Sequence, residues 1–170
     1  GSTFHVVLPL APAADQGESG APRLTTASRV LILEDNTVAG AVLGEVVQRA
    51  GGVSIVQNSV ADALALLRAD PAATTMILVD ADLAFVDGVS LPAVLAQLPQ
   101  PVMTPCLLLS TYGASERTTY GIHGFAGALT KPVRHAALID WLTSQLARPM
   151  LVEALPASAS PAPTLPASNK

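Results

Sequence analysis

Aromatic residues make up only 4% of the 170-residue chain, cysteine occurs once, and no stretch reaches the roughly 18 to 20 uninterrupted apolar residues of a membrane-crossing helix. The lone Cys106 excludes an internal disulfide framework and any cysteine-based zinc centre. Basic charge is also scarce, with Lys+Arg 9 against Asp+Glu 13 for a net charge of -4 and a pI of about 5.2. The basic residues are scattered singly, so the chain carries no electrostatic footprint for a phosphate backbone, and no nucleic-acid partner is expected. No basic-then-apolar leader with a small-residue cleavage site opens the chain. The expected setting is therefore a reducing cytoplasm, without direct membrane contact by this chain, although a larger membrane-attached protein is compatible.

What is abundant is apolar aliphatic sequence, 50% hydrophobic in all, arranged in one central block between two segments rich in Ala, Pro, Ser and Gly. Residues 11–28 and 148–170 bury too little to offset their ordering entropy and are expected to be a flexible linker and a disordered tail. Pro149, Pro156, Pro161, Pro163 and Pro166 give the tail local polyproline character. Thr3–Leu10 is strand-like but cannot form a stable sheet alone, and Gly1-Ser2 is equally a cloning scar.

Between these ends, Val30–Leu33, Met76–Val79, Cys106–Leu109 and, more weakly, Phe125–Leu129 are short continuous apolar runs, suited to a parallel sheet covered on both faces. Val53–Val56 adds a fifth strand. Helical spacing follows each: Val38, Val42, Val46 and Ala50, stopped by Gly51-Gly52; Val60, Ala63, Leu64 and Leu67 after a Ser59 cap; Leu91, Val94, Leu95 and Leu98 with Pro92 in the first turn; and Leu138, Ile139, Leu142 and Leu146. A further helix over Ser115–Ile122 has the weakest propensity, because Thr118, Thr119 and Gly121 oppose it. Five strands alternating with five helices predict an α/β three-layer domain over residues 29–147.

In such sheets ligands sit beyond the carboxyl ends of the strands. Those ends hold Glu34 and Asp35; Asp80, with Asp82, Asp87 and Gly88 behind it; Ser110 and Thr111; and Lys131-Pro132. Acidic residues at strand ends are ordinarily solvated loop residues; the combination with a hydroxyl and a lysine is what departs from that default. Two carboxylates about 4 Å apart repel by on the order of 4 kcal/mol at an effective dielectric of 20, which a divalent cation and a lysine relieve. The roles follow from charge. Asp80, on the central strand, is the expected nucleophile forming an acyl phosphate. Asp35, Asp80 and Glu34, with the backbone carbonyl of Asp82, are the expected Mg²⁺ ligands, Glu34 through water. Lys131 and the Ser110 hydroxyl meet phosphoryl oxygens.

Motif by motif, residues 29–147 resemble the receiver domain of two-component response regulators. LILEDN (31–36) is similar to the family's first strand with its acidic pair, and ILVDADLAFVDG (77–88) to its phosphoacceptor segment; LLLST (107–111) and LTKPV (129–133) supply hydroxyl and lysine in order. The resemblance implies a flavodoxin-like (βα)5 fold with sheet order 2-1-3-4-5, Mg²⁺ as cofactor, a cis peptide before Pro132, and phosphoryl transfer to Asp80 from a phosphohistidine on a kinase dimerisation domain or a histidine phosphotransfer domain. GSTFHVVLPL (1–10) resembles the end of a histidine-kinase ATP-binding domain, which implies a hybrid histidine kinase whose neighbouring domains are further partners. No ATP-binding or phosphohistidine motif is present, so the chain is not expected to phosphorylate itself from ATP, and His5, His123 and His135 are read as structural.

The departures from the family matter too. Ala128 stands where an aromatic switch residue is common, Leu83-Ala84 replaces a frequent Met-Pro, and Thr111 replaces a small Ala. Tyr112 is expected to lie over the site and shield the acyl phosphate. Arg117, Tyr120, His123 and Phe125 mark the expected output region. Two alternatives stand beside this reading: a non-phosphorylated docking module, ligand-controlled, to which Ala128 points, and a haloacid-dehalogenase-like phosphatase, to which VDADL (79–83) points.

Overall fold

A computed structural model of the chain describes His5, residues 23–111 and residues 123–146. In chain order the elements are β1 (Arg29–Leu33), α1 (Thr37–Arg49), β2 (Val53–Gln57), α2 (Val60–Ala69), β3 (Met76–Asp80), a 3-10 turn (Ala81–Leu83), β4 (Phe85–Val86), β5 (Val89–Ser90), α3 (Leu91–Ala96), β6 (Cys106–Ser110), β7 (Gly127–Thr130) and α4 (His135–Leu146). Thr3–Leu10, the helix expected over Ser115–Ile122, Tyr112, and the tail from 148 lie outside the described residues, His5 aside.

Five strands form one parallel sheet in the order β2-β1-β3-β6-β7, which by their succession along the chain is the flavodoxin-like 2-1-3-4-5. Leu33 is level with Val79, Val79 with Leu108, and Leu109 with Leu129, so the carboxyl ends of β1, β3, β6 and β7 finish along one edge. The central strands β3 and β6 are buried at every position, as continuous apolar runs between two helical layers must be. Alternation splits the core: Leu31, Leu33, Ile77, Val79, Cys106 and Leu108 face α2 and α3, while Val30, Ile32, Met76, Leu78, Leu107 and Leu109 face α1 and α4.

The helices start and seat themselves as their residues dictate. Asn36 caps α1, its side-chain oxygen accepting from the amides of Val38 (3.0 Å) and Ala39 (3.1 Å), and Ser59 caps α2. α2 buries Ala63, Leu64 and Leu67, and α3 buries Leu91 and Leu95.

Helix α1 corrects the expected stripe. Val38 is 72% exposed and Val42 49%, and the buried face is Gly40, Leu43, Gly44, Val46 and Val47. The face is set by approach distance: a Cβ on Gly40 would lie 2.9 Å from Val56 Cγ1 and one on Gly44 3.2 Å from Ser54 Oγ. Two glycines one turn apart let the helix lie closer to β2 than a valine face could. Leu146 likewise turns out exposed at the end of α4, whose core contacts are Leu138 and Leu142.

Packing also begins before the expected start of the domain. Leu24, in the segment expected to be linker, is 4% exposed, packs into the α1/α4-side core, and donates its amide to the Ala50 carbonyl at 2.9 Å.

Candidate functional site

Asp80 closes the central strand with only 6% of its surface exposed, and Glu34, one residue past β1, has 1%. Glu34 stays in the sheet because its amide donates to the Gln57 carbonyl at 3.1 Å, extending the ladder beyond β1. Residues 30 and 32, like 76 and 78, face α1 and α4. The same alternation carries Glu34 and Asp80 to that side of the edge. Lys131, one residue beyond β7, reaches both: its Nζ donates to Asp80 Oδ2 at 2.7 Å and to Glu34 Oε2 at 2.8 Å. One ammonium thus ties β1, β3 and β7 together at their carboxyl ends.

Burial acts on each group, and the partners decide the outcome. For Asp80, burial opposes ionisation, but hydrogen bonds from Lys131 and Glu34, with the backbone N–H of Asp82, outweigh it and hold the carboxyl below its ordinary value. For Glu34, burial prevails over Lys131 and the carboxyl is raised, with Asp80 adding to the rise. Burial would lower Lys131, yet its bonds to Asp80 and Glu34 raise it, so it remains a cation.

Asp35 is exposed beside this pair, and single oxygens of Glu34, Asp35 and Asp80 all lie within 4.8 Å of one another. Opposite ligands of octahedral Mg²⁺ are about 4.2 Å apart, so small side-chain adjustments let the three share one ion. Three carboxylates against one ammonium leave a formal charge of two negatives, which suits a divalent cation. All-oxygen donors with an open solvent side fit a hard ion that keeps several waters.

The other expected residues fall as follows. Ser110 ends β6, 2% exposed, and its carbonyl accepts the Lys131 amide at 2.8 Å. By strand alternation it belongs to the α2/α3 side, as does Ala128, which packs against that core. Asp82 lies in the 3-10 turn with an exposed side chain, and Thr111 is exposed just past β6. The Lys131–Pro132 peptide is cis. Cys106 is buried among aliphatic side chains, which pushes its thiol up to about 12.

Two features escape a reading of the sequence alone. The first is Glu34 as a buried partner of Lys131 in addition to a ligand candidate; its signal is the parity of Val30, Ile32 and Glu34 on one strand face. The second is a cluster of Phe85, His123 and Phe125, built by two segments far apart in the chain, for which no spacing gives a signal.

No family model matches the chain, and no curated protein matches it in sequence. Solved structures do match in fold. A response regulator from Desulfuromonas acetoxidans superposes with a TM-score of 0.63 at 21% identity, covering 71% of this chain and 97% of that one. The receiver domain of the Francisella response regulator 1452 gives 0.61 at 24%, covering 71% and 97%. A sensor protein from Polaromonas sp. JS666 gives 0.60 at 24%, covering 71% and 96%. The fold is therefore that of response-regulator receiver domains. No helix among the described residues is long and apolar enough to cross a membrane.

Proposed function

We propose that the chain is a phosphoacceptor receiver of a two-component phosphorelay. The observation that carries the reading is the buried Asp80 carboxylate, held by Lys131 at 2.7 Å at the end of the central strand with Glu34 and Asp35 beside it. An Asp80 oxygen attacks the phosphorus of a partner's phosphohistidine. The O–P bond forms as the P–N bond breaks, the imidazole nitrogen keeps the electron pair and takes a proton, and Asp80 becomes an acyl phosphate. Lys131 and the Ser110 hydroxyl meet the phosphoryl oxygens, so that catalysis is positioning plus charge neutralisation. Asp35, Asp80 and Glu34, with the Asp82 carbonyl, would hold Mg²⁺, which when bound would supply further charge neutralisation.

The donor is a phosphohistidine on a helix of a kinase dimerisation domain or a histidine phosphotransfer domain. Val38 and Val42 support this, being exposed on the first two turns of α1, which starts two residues after Asp35, and giving such a helix an apolar landing. The receiver domain of residues 29–147 would belong to a hybrid histidine kinase in the cytoplasm, flanked by its neighbouring domains. The phosphatase alternative lacks support, since its acidic pair would follow the lysine, whereas Glu34 and Asp35 precede it. The docking-module alternative draws on Ala128, which places a methyl where a switching ring would sit.

Incubation with a small-molecule phosphodonor and Mg²⁺, followed by intact-mass measurement, tests the proposal. One phosphoryl group is expected per wild-type chain and none on Asp80→Asn. An unphosphorylated wild type with a functioning donor control would leave the docking module as the reading, and sustained phosphate release would restore the phosphatase.

A further inference from the structure

Two routes leave Asp80, and they meet again on the far side of the sheet. One is the contact with Lys131 and so with β7. The other is the chain itself. The Asp82 N–H bonds the Asp80 carboxylate, and three residues later Phe85 enters the two-stranded hairpin β4–β5, which turns through Asp87 (φ 49°) and Gly88 (φ 79°). A turn with both central residues at positive φ is the tight type suited to a two-residue hairpin, so this piece moves as a unit. Its own sheet is only two residues wide on each strand and is marginal without outside packing.

That outside packing is directed at the residues leading into β7. The Phe85 ring meets His123 edge-on, with centroids 5.3 Å apart and planes at 84°, and Phe125 at 6.3 Å and 63°. Ser90 Oγ donates to the His123 carbonyl at 2.7 Å. Phe125 is 6% exposed in the α2/α3-side core, Ala126 donates its amide to Cys106 at 2.9 Å, and β7 follows, ending at Lys131. Asp80, the turn, Phe85, Phe125, β7 and Lys131 thus form a closed circuit of covalent and packed contacts. Within it, Phe85 is the weakly held member at 39% exposure.

We propose that the β4–β5 hairpin reports the state of Asp80 to the face around His123, with Phe85 as the moving ring. A phosphoryl group on Asp80 offers new oxygens to the Asp82 N–H and to Lys131. The 3-10 turn follows, and with only two residues between Asp82 and Phe85 there is little slack to absorb the shift. Phe85 then reseats against His123 and Phe125, and the Ser90–His123 bond changes with it. Coupling of this kind needs an element whose packing differs between two states, which a hairpin held mainly by one aromatic cluster and one hydroxyl can supply. It makes good the missing ring at Ala128 with a ring from a different loop on the same side of the sheet.

The inference rests on the phosphoacceptor reading, and amide NMR on the full chain with Mg²⁺ and beryllofluoride, a stand-in for the phosphoryl group, separates the two. In wild type, shifts are expected at Asp80 and Lys131 and also at Phe85, Ser90 and His123–Ala126. In Phe85→Ala, and in Phe85→Leu, which keeps apolar bulk but loses the ring edge, the Asp80 and Lys131 shifts persist while those at His123–Ala126 fall by about threefold or more. The leucine variant decides the matter if the alanine variant does not fold. Undiminished shifts at His123–Ala126 in the folded variants, or their absence in a wild type that responds at Asp80, would overturn the hairpin's role alone. No response at Asp80 and Lys131 in wild type would overturn the phosphoacceptor reading and this inference with it.

Discussion

Lys131 is the residue on which the site's electrostatics turn, because its ammonium is the cation that both Asp80 and Glu34 share. Truncating it would leave two buried carboxylates facing each other, and such a loss costs more than the pair's net contribution, since the desolvation is already incurred. Burial raises the Glu34 carboxyl, while for Asp80 the hydrogen bonds to Lys131 and Glu34 outweigh burial and lower it, so of this pair Glu34 takes up a proton first on acidification. Cys106 shows burial acting without a charged partner, its thiol donating only to the Thr104 carbonyl at 3.5 Å. Its thiol, pushed up to about 12 from 9.0, keeps its proton in the native state over a range in which the unfolded chain gives it up. Its contribution is therefore intact below pH 9 and is lost as pH rises toward 12, by about 1.4 kcal/mol per unit. Urea unfolding at pH 9 and pH 10 should show wild type losing up to about 1 kcal/mol more than Cys106→Ala over that step. Thiol reagents at pH 8 should react only on unfolding.

At the scale of the element, α1 is the most informative piece, because its buried face keeps only the second half of the stripe that spacing alone suggests, Val46 and Ala50. Valines at 38, 42 and 46 advertise a buried stripe, yet of these only Val46 is buried, and Gly40 and Gly44 are what the sheet receives, leaving Val38 and Val42 exposed on the first two turns of α1. Small residues carry little weight in a hydrophobic pattern, and only the three-dimensional approach to Val56 and Ser54 reveals them as the contact. If the outer valines receive a phosphohistidine-bearing helix, Val38→Asp together with Val42→Asp should slow transfer from that partner by about tenfold or more. Phosphorylation by a small-molecule donor, which needs no docking helix, should be unchanged. The strands were far more legible. Continuous runs such as MILVD and CLLLS admit little but a doubly covered strand, and their ends brought Asp80 and Ser110 to the edge where strand-terminal chemistry was sought. The aromatic cluster was not legible, since Phe85 and His123 are joined only by the fold. Leu24 was hidden for a different reason: one leucine in a segment of Ala, Pro, Gly and Ser gives no period to read.

At the scale of the whole molecule, three carboxylates gathered at one sheet edge make the folded state a better cation binder than the unfolded chain, in which Glu34 and Asp80 are 46 residues apart in sequence. Mg²⁺ at about a hundred times its dissociation constant should add about 2.7 kcal/mol and raise the melting temperature by several degrees. A chelator should reverse the rise and Asp35→Asn should remove most of it, as followed by thermal denaturation. The molecule also has two distinct poles. Leu24 enters beside Ala50 and Gly51, at the amino-terminal edge of the sheet. α4 has returned to that same edge by Trp141, which lies against Gly127 at the start of β7. The described chain therefore enters, at Leu24, and returns, at Trp141, at the end opposite Asp80, separated from it by about 20 Å of α1. The edge that carries Asp80 is thus clear of both points where the described chain enters and leaves the sheet, so a partner surface approaching Glu34, Asp35 and Asp80 meets strand ends and the start of α1 rather than either of those points.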